Sequence, residues 1–119
     1  MAKILVVDDS TSVRSEVSEY LRAQGISVIT AVDGIDGLVK IQEDRELKLI
    51  LCDINMPNMD GLTMVEKVRE SGNLISVVML TTEDDLSLKQ RGKAAGVKGW
   101  IVKPFNGDAI INAIKKMIE

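Results

Sequence analysis

Five short apolar runs divide the chain at regular intervals. They cover residues 4–7, 28–31, 49–52, 77–80 and 99–102. The first, third and fourth runs are nearly continuous and rich in branched side chains, which is typical of strands buried on both faces of a sheet. The second and fifth runs mix polar with apolar residues, as edge strands do. The pattern therefore predicts five strands, three of them central.

Helical patterns lie between these runs. The first carries its apolar residues on one stripe, namely Val13, Val17, Tyr20 and Leu21. The residues expected to stop or cap helices are Gly25 after the first, Asp33 and Asp60 before the second and third, and Asn106 or Gly107 at the start of the fifth. The fourth pattern, over 86–95, is the weakest because Gly92 lies inside it. The fifth places on one face Ile110, Ala113, Ile114 and Met117.

The alternation of strands and helices predicts an α/β fold. Strands joined through helices run parallel, and right-handed crossovers leave few arrangements. We expect a doubly wound five-stranded parallel sheet, in the order 2-1-3-4-5, with five helices covering its two faces. No linker or low-complexity segment interrupts the pattern, so we expect a single domain over residues 1–119 with no output domain after it.

Composition narrows the possible functions. Hydrophobic residues make up 45 % of the chain, the formal net charge is −3 and aromatic residues contribute only 3 %. An acidic balance with so few aromatic rings argues against nucleic-acid binding. The lack of histidine excludes imidazole metal sites and Ser-His or Cys-His nucleophile pairs. One cysteine permits no internal disulfide, and the sequence has neither a signal peptide nor a membrane span, so we expect a cytoplasmic protein.

Polar residues follow four of the predicted strands. Asp8 and Asp9 follow the first strand, Asp53 the third, Thr81 the fourth and Lys103 the fifth. All strands of a parallel sheet end on one side, so these side chains are expected in a common cleft. Open α/β sheets bind their ligands on that side, beside the point where the strand order reverses.

The chemistry of this set indicates phosphoryl transfer. Clustered carboxylates repel one another unless a cation is present, and without imidazole or thiolate the set suits Mg²⁺. Lys103 would pair with Asp53 at rest and with a phosphate oxygen afterwards, while the Thr81 hydroxyl would donate to another phosphate oxygen. A carboxylate nucleophile gives a short-lived acyl phosphate, so we expect Asp53 to be phosphorylated reversibly.

The sequence resembles a response-regulator receiver domain, a flavodoxin-like fold, over its whole length. The motifs that carry the resemblance, each at the end of a predicted strand, are ILVVDDS at 4–10, CDINMPNMDG at 52–61, LTT at 80–82 and VKPF at 102–105. The resemblance implies that Asp53 is the phosphoacceptor and that Asp9 and Asp53 bind Mg²⁺ directly. It also implies that Asp8 helps through water and that Asn55 ligates the metal through its backbone carbonyl.

The resemblance also implies how phosphorylation is sensed. Thr81 and Lys103 match the family's phosphate-sensing pair, and the peptide bond between Lys103 and Pro104 is expected to be cis. Trp100 stands where the family carries a switch aromatic, usually Tyr or Phe, and the bulkier indole would move less freely. Glu83 occupies a position that influences phosphoryl lifetime in the family.

The expected output surface is the face formed by the fourth helix, the fifth strand and the fifth helix. Its basic residues are Lys89, Arg91, Lys93 and Lys98. An acidic partner peptide or helix would dock there. The segments 80–83, 92–96 and 99–105 are similar to those of chemotaxis regulators, which implies a histidine kinase as donor, the flagellar motor switch as target and a phosphatase as a further partner. We expect a monomer. A phosphorelay intermediate, or another single-domain signalling receiver, stays open as an alternative.

Two other classes of function are disfavoured. A phosphohydrolase of the haloacid-dehalogenase kind also uses an Asp nucleophile and Mg²⁺, but it has a second aspartate two residues later, where this chain has Asn55. A phosphate-independent binding module would be expected to have lost the acidic residues or Lys103. We therefore expect no enzyme activity beyond the protein's own phosphorylation and dephosphorylation.

Overall fold

Strands and helices alternate along the whole of residues 3–118, which are the residues that this computed structural model describes. The elements are β1 (Lys3–Val7), α1 (Thr11–Ala23), β2 (Ser27–Ala31), α2 (Gly34–Glu43), β3 (Leu47–Cys52), α3 (Gly61–Glu70), β4 (Ser76–Thr81), α4 (Leu86–Ala94), β5 (Gly99–Val102) and α5 (Gly107–Ile118). The strands form one parallel sheet in the order β2-β1-β3-β4-β5. The predicted fold class and strand order are confirmed. Among residues 3–118, none of the helices combines the length and apolar composition that crossing a bilayer requires.

The core consists of two apolar layers, one on each face of the sheet. Alternate residues of β1, β3 and β4 contribute to opposite layers, because successive side chains of a strand point to opposite faces. One layer packs on α3 through the buried residues Leu62, Met64, Val65 and Val68. The other packs on α1 and α5 through the buried residues Val17, Leu21, Ile110 and Ile114. All three central strands are therefore held from both sides.

The helix ends follow local side-chain chemistry. Asp33 accepts from the backbone N–H of Asp36 at 2.8 Å and Asp60 from that of Thr63 at 2.9 Å, so both predicted caps are confirmed. Gly25 has φ +79° after α1, a conformation that a glycine adopts without strain. Two further caps, which the sequence analysis did not single out, are Ser10 before α1 and Asp85 before α4.

Some details differ from the prediction. Thr81 is the last residue of β4 rather than the residue after it, and α4 ends one residue earlier than predicted. Tyr20 was predicted on the apolar stripe of α1, but its side chain is 42 % exposed. Its ring packs on Gly107 at the start of α5 and is not part of either apolar layer. A Cβ at that glycine would come within 1.9 Å of the ring. The peptide bond between Lys103 and Pro104 is cis, as expected.

Candidate functional site

Three carboxylates meet where β1 and β3 end. Oxygens of Asp8, Asp9 and Asp53 all lie within 4.8 Å of one another. The backbone fixes this arrangement, because Asp53 N–H donates to the Val7 carbonyl at 3.0 Å and Asp8 N–H donates to the Ala31 carbonyl at 3.1 Å. These bonds extend the pairing of the strands into the loops. The carboxylates therefore lie close together because they follow the ends of the neighbouring parallel strands β1 and β3.

Lys103 joins two of these carboxylates. Its Nζ lies 2.8 Å from Asp8 Oδ2 and 3.0 Å from Asp53 Oδ2. Burial would lower the pKa of Lys103, but the hydrogen bonds and charges of the two aspartates outweigh burial and raise it. Burial also raises the pKa of Asp8, although the hydrogen bond from Lys103 opposes this rise. The amine is therefore held charged between two acids.

The loop after β3 holds Asp53 closely. The backbone N–H of Ile54 donates to Asp53 Oδ1 at 2.7 Å, while Gly61 N–H donates to the Ile54 carbonyl at 2.9 Å. A Cβ at Gly61 would lie 1.8 Å from the Asp53 carbonyl oxygen, so only glycine allows this close return of the chain. One carboxylate oxygen thus bonds to the backbone and the other to Lys103.

The donor set fits a hard divalent cation. Three carboxylates and one ammonium leave two formal negative charges at the cluster. Asp8 is 2 % exposed and Asp53 is 8 % exposed, whereas Asp9 is exposed. An ion could therefore approach from the solvent side, where Asp9 lies. Oxygen ligands with access for several waters are what Mg²⁺ requires.

Thr81 lies beside the cluster, and its hydroxyl oxygen accepts a hydrogen bond from the loop after β4. Its carbonyl accepts from Lys103 N–H at 2.8 Å, which places the end of β4 next to the lysine. Its side chain is fully buried, and Oγ1 accepts from the backbone N–H of Glu83 at 3.2 Å. The structure thus brings together Asp8, Asp9, Asp53 and Lys103, while Thr81 is anchored to the loop after β4.

Glu83 links two segments that the sequence analysis treated separately. Asn55 Nδ2 donates to Glu83 Oε1 at 2.5 Å, and the Trp100 indole N–H donates to the Glu83 carbonyl at 2.8 Å. Asn55, predicted as a metal ligand through its carbonyl, therefore also holds the loop after β4 through its side chain. A tyrosine or phenylalanine at position 100 has no indole N–H for this bond. Trp100 is thus tied to the same residue as Asn55.

The predicted partner surface forms a groove between α4 and β5. Its volume is about 310 Å³, and Lys89, Lys93, Lys98 and Trp100 all line it. Fewer unpaired positive charges face this groove than the sequence suggests. Lys89 forms an ion pair with Asp84. The Arg91 side chain points away from the groove and donates to Glu66 on α3 from both Nε and Nη2. The prediction that Arg91 belongs to this basic surface is therefore wrong.

One contact to the cluster was missed from sequence. Arg14 Nη1 donates to the backbone carbonyl of Asp8 at 2.6 Å. An arginine on an exposed helix face carries no sequence signal for such a bond, because its partner is a main-chain atom of a loop. Arg14 therefore helps to fix the chain where the acidic cluster begins.

The comparisons with known proteins agree with this geometry. Residues 4–115 match the response regulator receiver domain family. The chain is 36 % identical to the protein PilG of Pseudomonas aeruginosa, covering 95 % of this chain and 84 % of PilG. The structure of the chemotaxis protein CheY4 of Vibrio cholerae superposes with a TM-score of 0.91 at 43 % identity and 98 % coverage of both chains. The response regulator TrrA of Thermotoga maritima, solved in complex with Mg²⁺-BeF, has a TM-score of 0.89 at 29 % identity, covering 98 % of this chain and 99 % of TrrA. The chain therefore belongs to the response regulator receiver domain family and is a two-component response regulator.

Proposed function

We propose that this protein is a phosphorylation switch that accepts a phosphoryl group on Asp53 from a histidine kinase. The observation that carries the proposal is the ion-paired cluster, in which Lys103 Nζ bridges Asp8 and Asp53 while Asp9 stands on the solvent side. Phosphoryl transfer needs little from a protein beyond positioning and charge neutralisation. The cluster offers both at one carboxylate.

In the proposed reaction, Asp53 Oδ2 attacks the phosphorus atom while the bond to the donor's nitrogen or oxygen breaks. Asp9 and Asp53 would hold Mg²⁺, with Asp8 acting through water and Asn55 through its backbone carbonyl. The ion would neutralise charge on the transferring group. Lys103 would move from the Asp53 carboxylate to a phosphoryl oxygen, because that carboxylate loses its charge on becoming an acyl phosphate. Asp53 Oδ1 stays bonded to the Ile54 N–H, which keeps the carboxylate in place.

The switch would begin at Thr81. A phosphoryl group brings nearly two negative charges and three strong acceptors. The Thr81 hydroxyl accepts from the Glu83 N–H and keeps its own proton free to donate, so a movement of Thr81 towards the phosphoryl group would draw the loop that carries Glu83 with it. Glu83 carries the bonds from Asn55 and Trp100, so its displacement would reach the groove between α4 and β5. A tenfold shift in population needs about 1.4 kcal/mol of differential interaction.

The output would be a binding partner for the α4-β5-α5 face. Lys93 and Lys98 line the groove beside the apolar surface of Trp100, which fits an acidic segment with an apolar anchor. Lys89 would have to exchange Asp84 for the partner. The similarity to the chemotaxis protein CheY4 supports a role in chemotaxis. In this role the protein would act in the cytoplasm, with the flagellar motor switch as its target and a phosphatase resetting the signal. We expect no turnover of external substrates.

The central experiment is phosphorylation by a small acyl-phosphate donor with Mg²⁺. Intact mass should show one added phosphoryl group on the wild type and none on Asp53→Asn. Fluorescence of Trp100, the single tryptophan, should change in parallel. Asp108→Asn is the matched control, because Asp108 is an exposed aspartate on α5, and it should behave as the wild type. Equal phosphorylation of Asp53→Asn and wild type would disprove the assignment of Asp53.

A second variant separates chemistry from switching. Thr81→Ala should still be phosphorylated, because Asp53 and Lys103 keep their contacts. Its Trp100 fluorescence change should be reduced or lost, since the hydroxyl that reports the phosphoryl group is gone. An unchanged fluorescence response in Thr81→Ala would contradict the proposed route from Thr81 to Trp100.

A further inference from the structure

The loop after β3 is fastened to the start of α2 by two hydrogen bonds. Asn58 Nδ2 donates to Asp33 Oδ2 at 2.7 Å, and the backbone N–H of Gly34 donates to the Met59 carbonyl at 3.1 Å. A Cβ at Gly34 would lie 2.7 Å from that carbonyl oxygen, so the two segments are in direct contact. The loop that follows Asp53 is therefore held by α2 as well as by its own strand.

Asn58 has an unusual backbone conformation. Its φ is +68°, and among residues 3–118 it is the only residue other than glycine with a positive φ. The Met59 N–H donates to the Pro57 carbonyl at 2.7 Å, so Asn58 is the central residue of a three-residue turn. Such a turn with a positive central φ is rare and strained, although asparagine tolerates it better than most residues do. Strained backbone persists only where the surrounding structure holds it, and it clusters at functional sites.

Asp33 is the residue that holds this turn. It is 8 % exposed, and both of its carboxylate oxygens are engaged, since Oδ1 accepts from the Asp36 N–H at 2.8 Å and Oδ2 accepts from Asn58. The Asp36 N–H and the Asn58 amide hold the pKa of Asp33 below its ordinary value, so the acceptor is charged at neutral pH. Hydrogen bonds to a charged acceptor are stronger than those between neutral groups. The strained turn is thus bonded to a residue that the helix cap already fixes.

The turn lies close to the phosphorylation site along the chain. Only Met56 and Pro57 separate Asn58 from Asn55, whose carbonyl is the proposed metal ligand. Proline fixes its own φ at about −65°. Met56 packs against the apolar layer that includes α3. The path of the chain through position 55 is therefore set on one side by Asp53 and on the other by the turn at Asn58.

We propose that Asn58 is a positioning residue for the phosphorylation site and acts through its hydrogen bond to Asp33. The inference rests on the proposed function, because it takes the Asn55 carbonyl as a ligand of Mg²⁺. With this hydrogen bond in place, the loop is fixed before the ion binds, so that binding requires little further ordering. Without it, the turn relaxes and the carbonyl loses its fixed position. Removing a group that holds a metal ligand typically weakens metal binding by about 10–100-fold.

Asn58→Gly is the first test, because glycine keeps the positive φ without strain and lacks the side-chain bond. Calorimetric titration of the unphosphorylated full chain with Mg²⁺ should give a dissociation constant at least about fivefold higher than that of the wild type. In the metal-free protein, the backbone amides of the loop after β3 should exchange hydrogen faster. Phosphorylation by a small acyl-phosphate donor should need more Mg²⁺ to reach half its maximal rate, whereas the rate at saturating Mg²⁺ should stay within about twofold of the wild type.

A double variant that combines Asp33→Asn with Asn58→Asp exchanges the two groups. The amide at position 33 would cap α2 with its oxygen and donate from its nitrogen to the carboxylate at position 58. Aspartate also tolerates a positive φ, and the net charge equals that of the wild type. The double variant should therefore bind Mg²⁺ within about threefold of the wild type, because the hydrogen bond is restored in the opposite direction.

Asn73→Gly is the matched control. Asn73 is an exposed asparagine in the loop before β4, and its side chain accepts from the Ile75 N–H at 3.0 Å. This loop lies at the amino end of the sheet, away from the acidic cluster. Asn73→Gly should leave the Mg²⁺ dissociation constant within about twofold of the wild type.

Each outcome decides the proposal. Urea unfolding of every variant separates a weaker ion site from a weaker fold, and if Asn58→Gly did not fold, the Mg²⁺ affinity of the double variant would decide. The proposal fails if Asn58→Gly binds Mg²⁺ as tightly as the wild type, if the double variant binds Mg²⁺ more than about tenfold more weakly than the wild type, or if Asn73→Gly weakens binding as much as Asn58→Gly. Failure of the proposed function differs, because the wild type would then gain no phosphoryl group, or Asp53→Asn would gain one equally, whatever the Mg²⁺ affinities are.

Discussion

α3 and α4 are neighbouring helices of ten and nine residues that are packed very differently. α3, which follows the strand that carries Asp53, buries five residues, namely Gly61, Leu62, Met64, Val65 and Val68. α4, which follows the strand that ends in Thr81, buries only Gly92. One side of the site is thus a fixed support, and the other is attached by few contacts. A phosphoryl group on Asp53 would therefore be held on the firmly packed α3 side, and the structural change it causes would spread through the loosely packed α4 side.

The cause of the difference lies in the two helix sequences. α3 carries apolar residues on one face and is capped by Asp60. α4 reads LSLKQRGKA, with polar residues on every side and a glycine in its interior, which costs about 1 kcal/mol of helix propensity. Its opening residue Leu86 is 69 % exposed. The attachments of α4 are therefore a few specific contacts: the Arg91–Glu66 ion pair, the Trp100 ring against Gly92, and the partly buried Leu88.

The largest expected effect compares one leucine from each helix. Leu62→Ala should lower the free energy of unfolding by about 2–5 kcal/mol, because Leu62 is fully buried and its truncation leaves a cavity. Leu86→Ala should change it by less than about 0.5 kcal/mol, because most of that side chain is already in water. Urea unfolding of both variants measures the difference. Similar losses would show that α4 is packed as firmly as α3.

The next effect concerns local opening of the folded protein. Backbone amides of α4 should exchange hydrogen at least about tenfold faster than those of α3, which corresponds to about 1.4 kcal/mol less opening free energy. The reason is that opening α4 exposes little apolar surface. Native-state exchange of the unphosphorylated protein, followed by NMR, is the measurement. Equal protection of the α3 and α4 amides from exchange would contradict the proposal that α4 is the mobile element of the switch.

The sequence predicted the fold well because the central strands are almost purely apolar. Alternation with helical patterns then left few topologies, and the structure has the one that was chosen. The proximity of Asp8, Asp9, Asp53 and Lys103 was also predictable. Each follows a strand, and the parallel arrangement brings those ends together regardless of the details of the loops.

The contacts that link the cluster to α4 were not predictable. Asn55 meets Glu83 across 28 residues, and Trp100 meets the carbonyl of Glu83 across 17, so both depend on the shapes of loops that no periodicity describes. The burial of the Thr81 hydroxyl and the pairing of Arg91 with Glu66 likewise depend on rotamers and helix placement. Sequence patterns fix which residues gather at the end of the sheet, whereas packing decides which atoms touch.

The third prediction tests the support helix through its cap. Asp60→Ala should lower the free energy of unfolding at pH 7 by about 1 kcal/mol, because the carboxylate accepts from both the N–H and the hydroxyl of Thr63. Burial acts to raise the pKa of Asp60, but these hydrogen bonds outweigh it and hold the pKa below the ordinary 3.8. The stabilisation is therefore complete well above pH 3.8 and is lost as the pH falls through the lowered value.

Urea unfolding at neutral pH and near pH 3 follows this loss. The difference in free energy of unfolding between the wild type and Asp60→Ala should be smaller near pH 3 than at neutral pH. The corresponding cap of α4, Asp85, is exposed, and Asp85→Ala should cost less at neutral pH. If the destabilisation caused by Asp60→Ala were the same at both pH values, the negative charge of Asp60 would not contribute to the cap.

The smallest effect tests the ion pair between the two helices. Arg91 donates to Glu66 Oε2 from Nε at 2.9 Å and to Oε1 from Nη2 at 2.6 Å. Both side chains are more than a third exposed, so solvent screening limits the pair to about 0.5 kcal/mol despite its two-pronged geometry. A double-mutant cycle with Arg91→Gln and Glu66→Gln, measured by urea unfolding, should give a coupling energy of that size. Lys93→Gln is the control, because Lys93 is exposed on the same helix and forms no ion pair among residues 3–118.

The consequence of losing this pair should be local rather than global. Arg91→Gln should speed amide exchange in α4 while leaving α3 unchanged, because α3 keeps its buried face. The hydrogen bond from Arg91 lowers the pKa of Glu66, so the coupling should be full at neutral pH and decline as the pH falls below 4.5, the ordinary value of that carboxyl. If Arg91→Gln accelerated exchange in both helices equally, α4 would be part of the same rigid unit as α3. The phosphoryl signal would then have to leave the site by a route other than the displacement of α4.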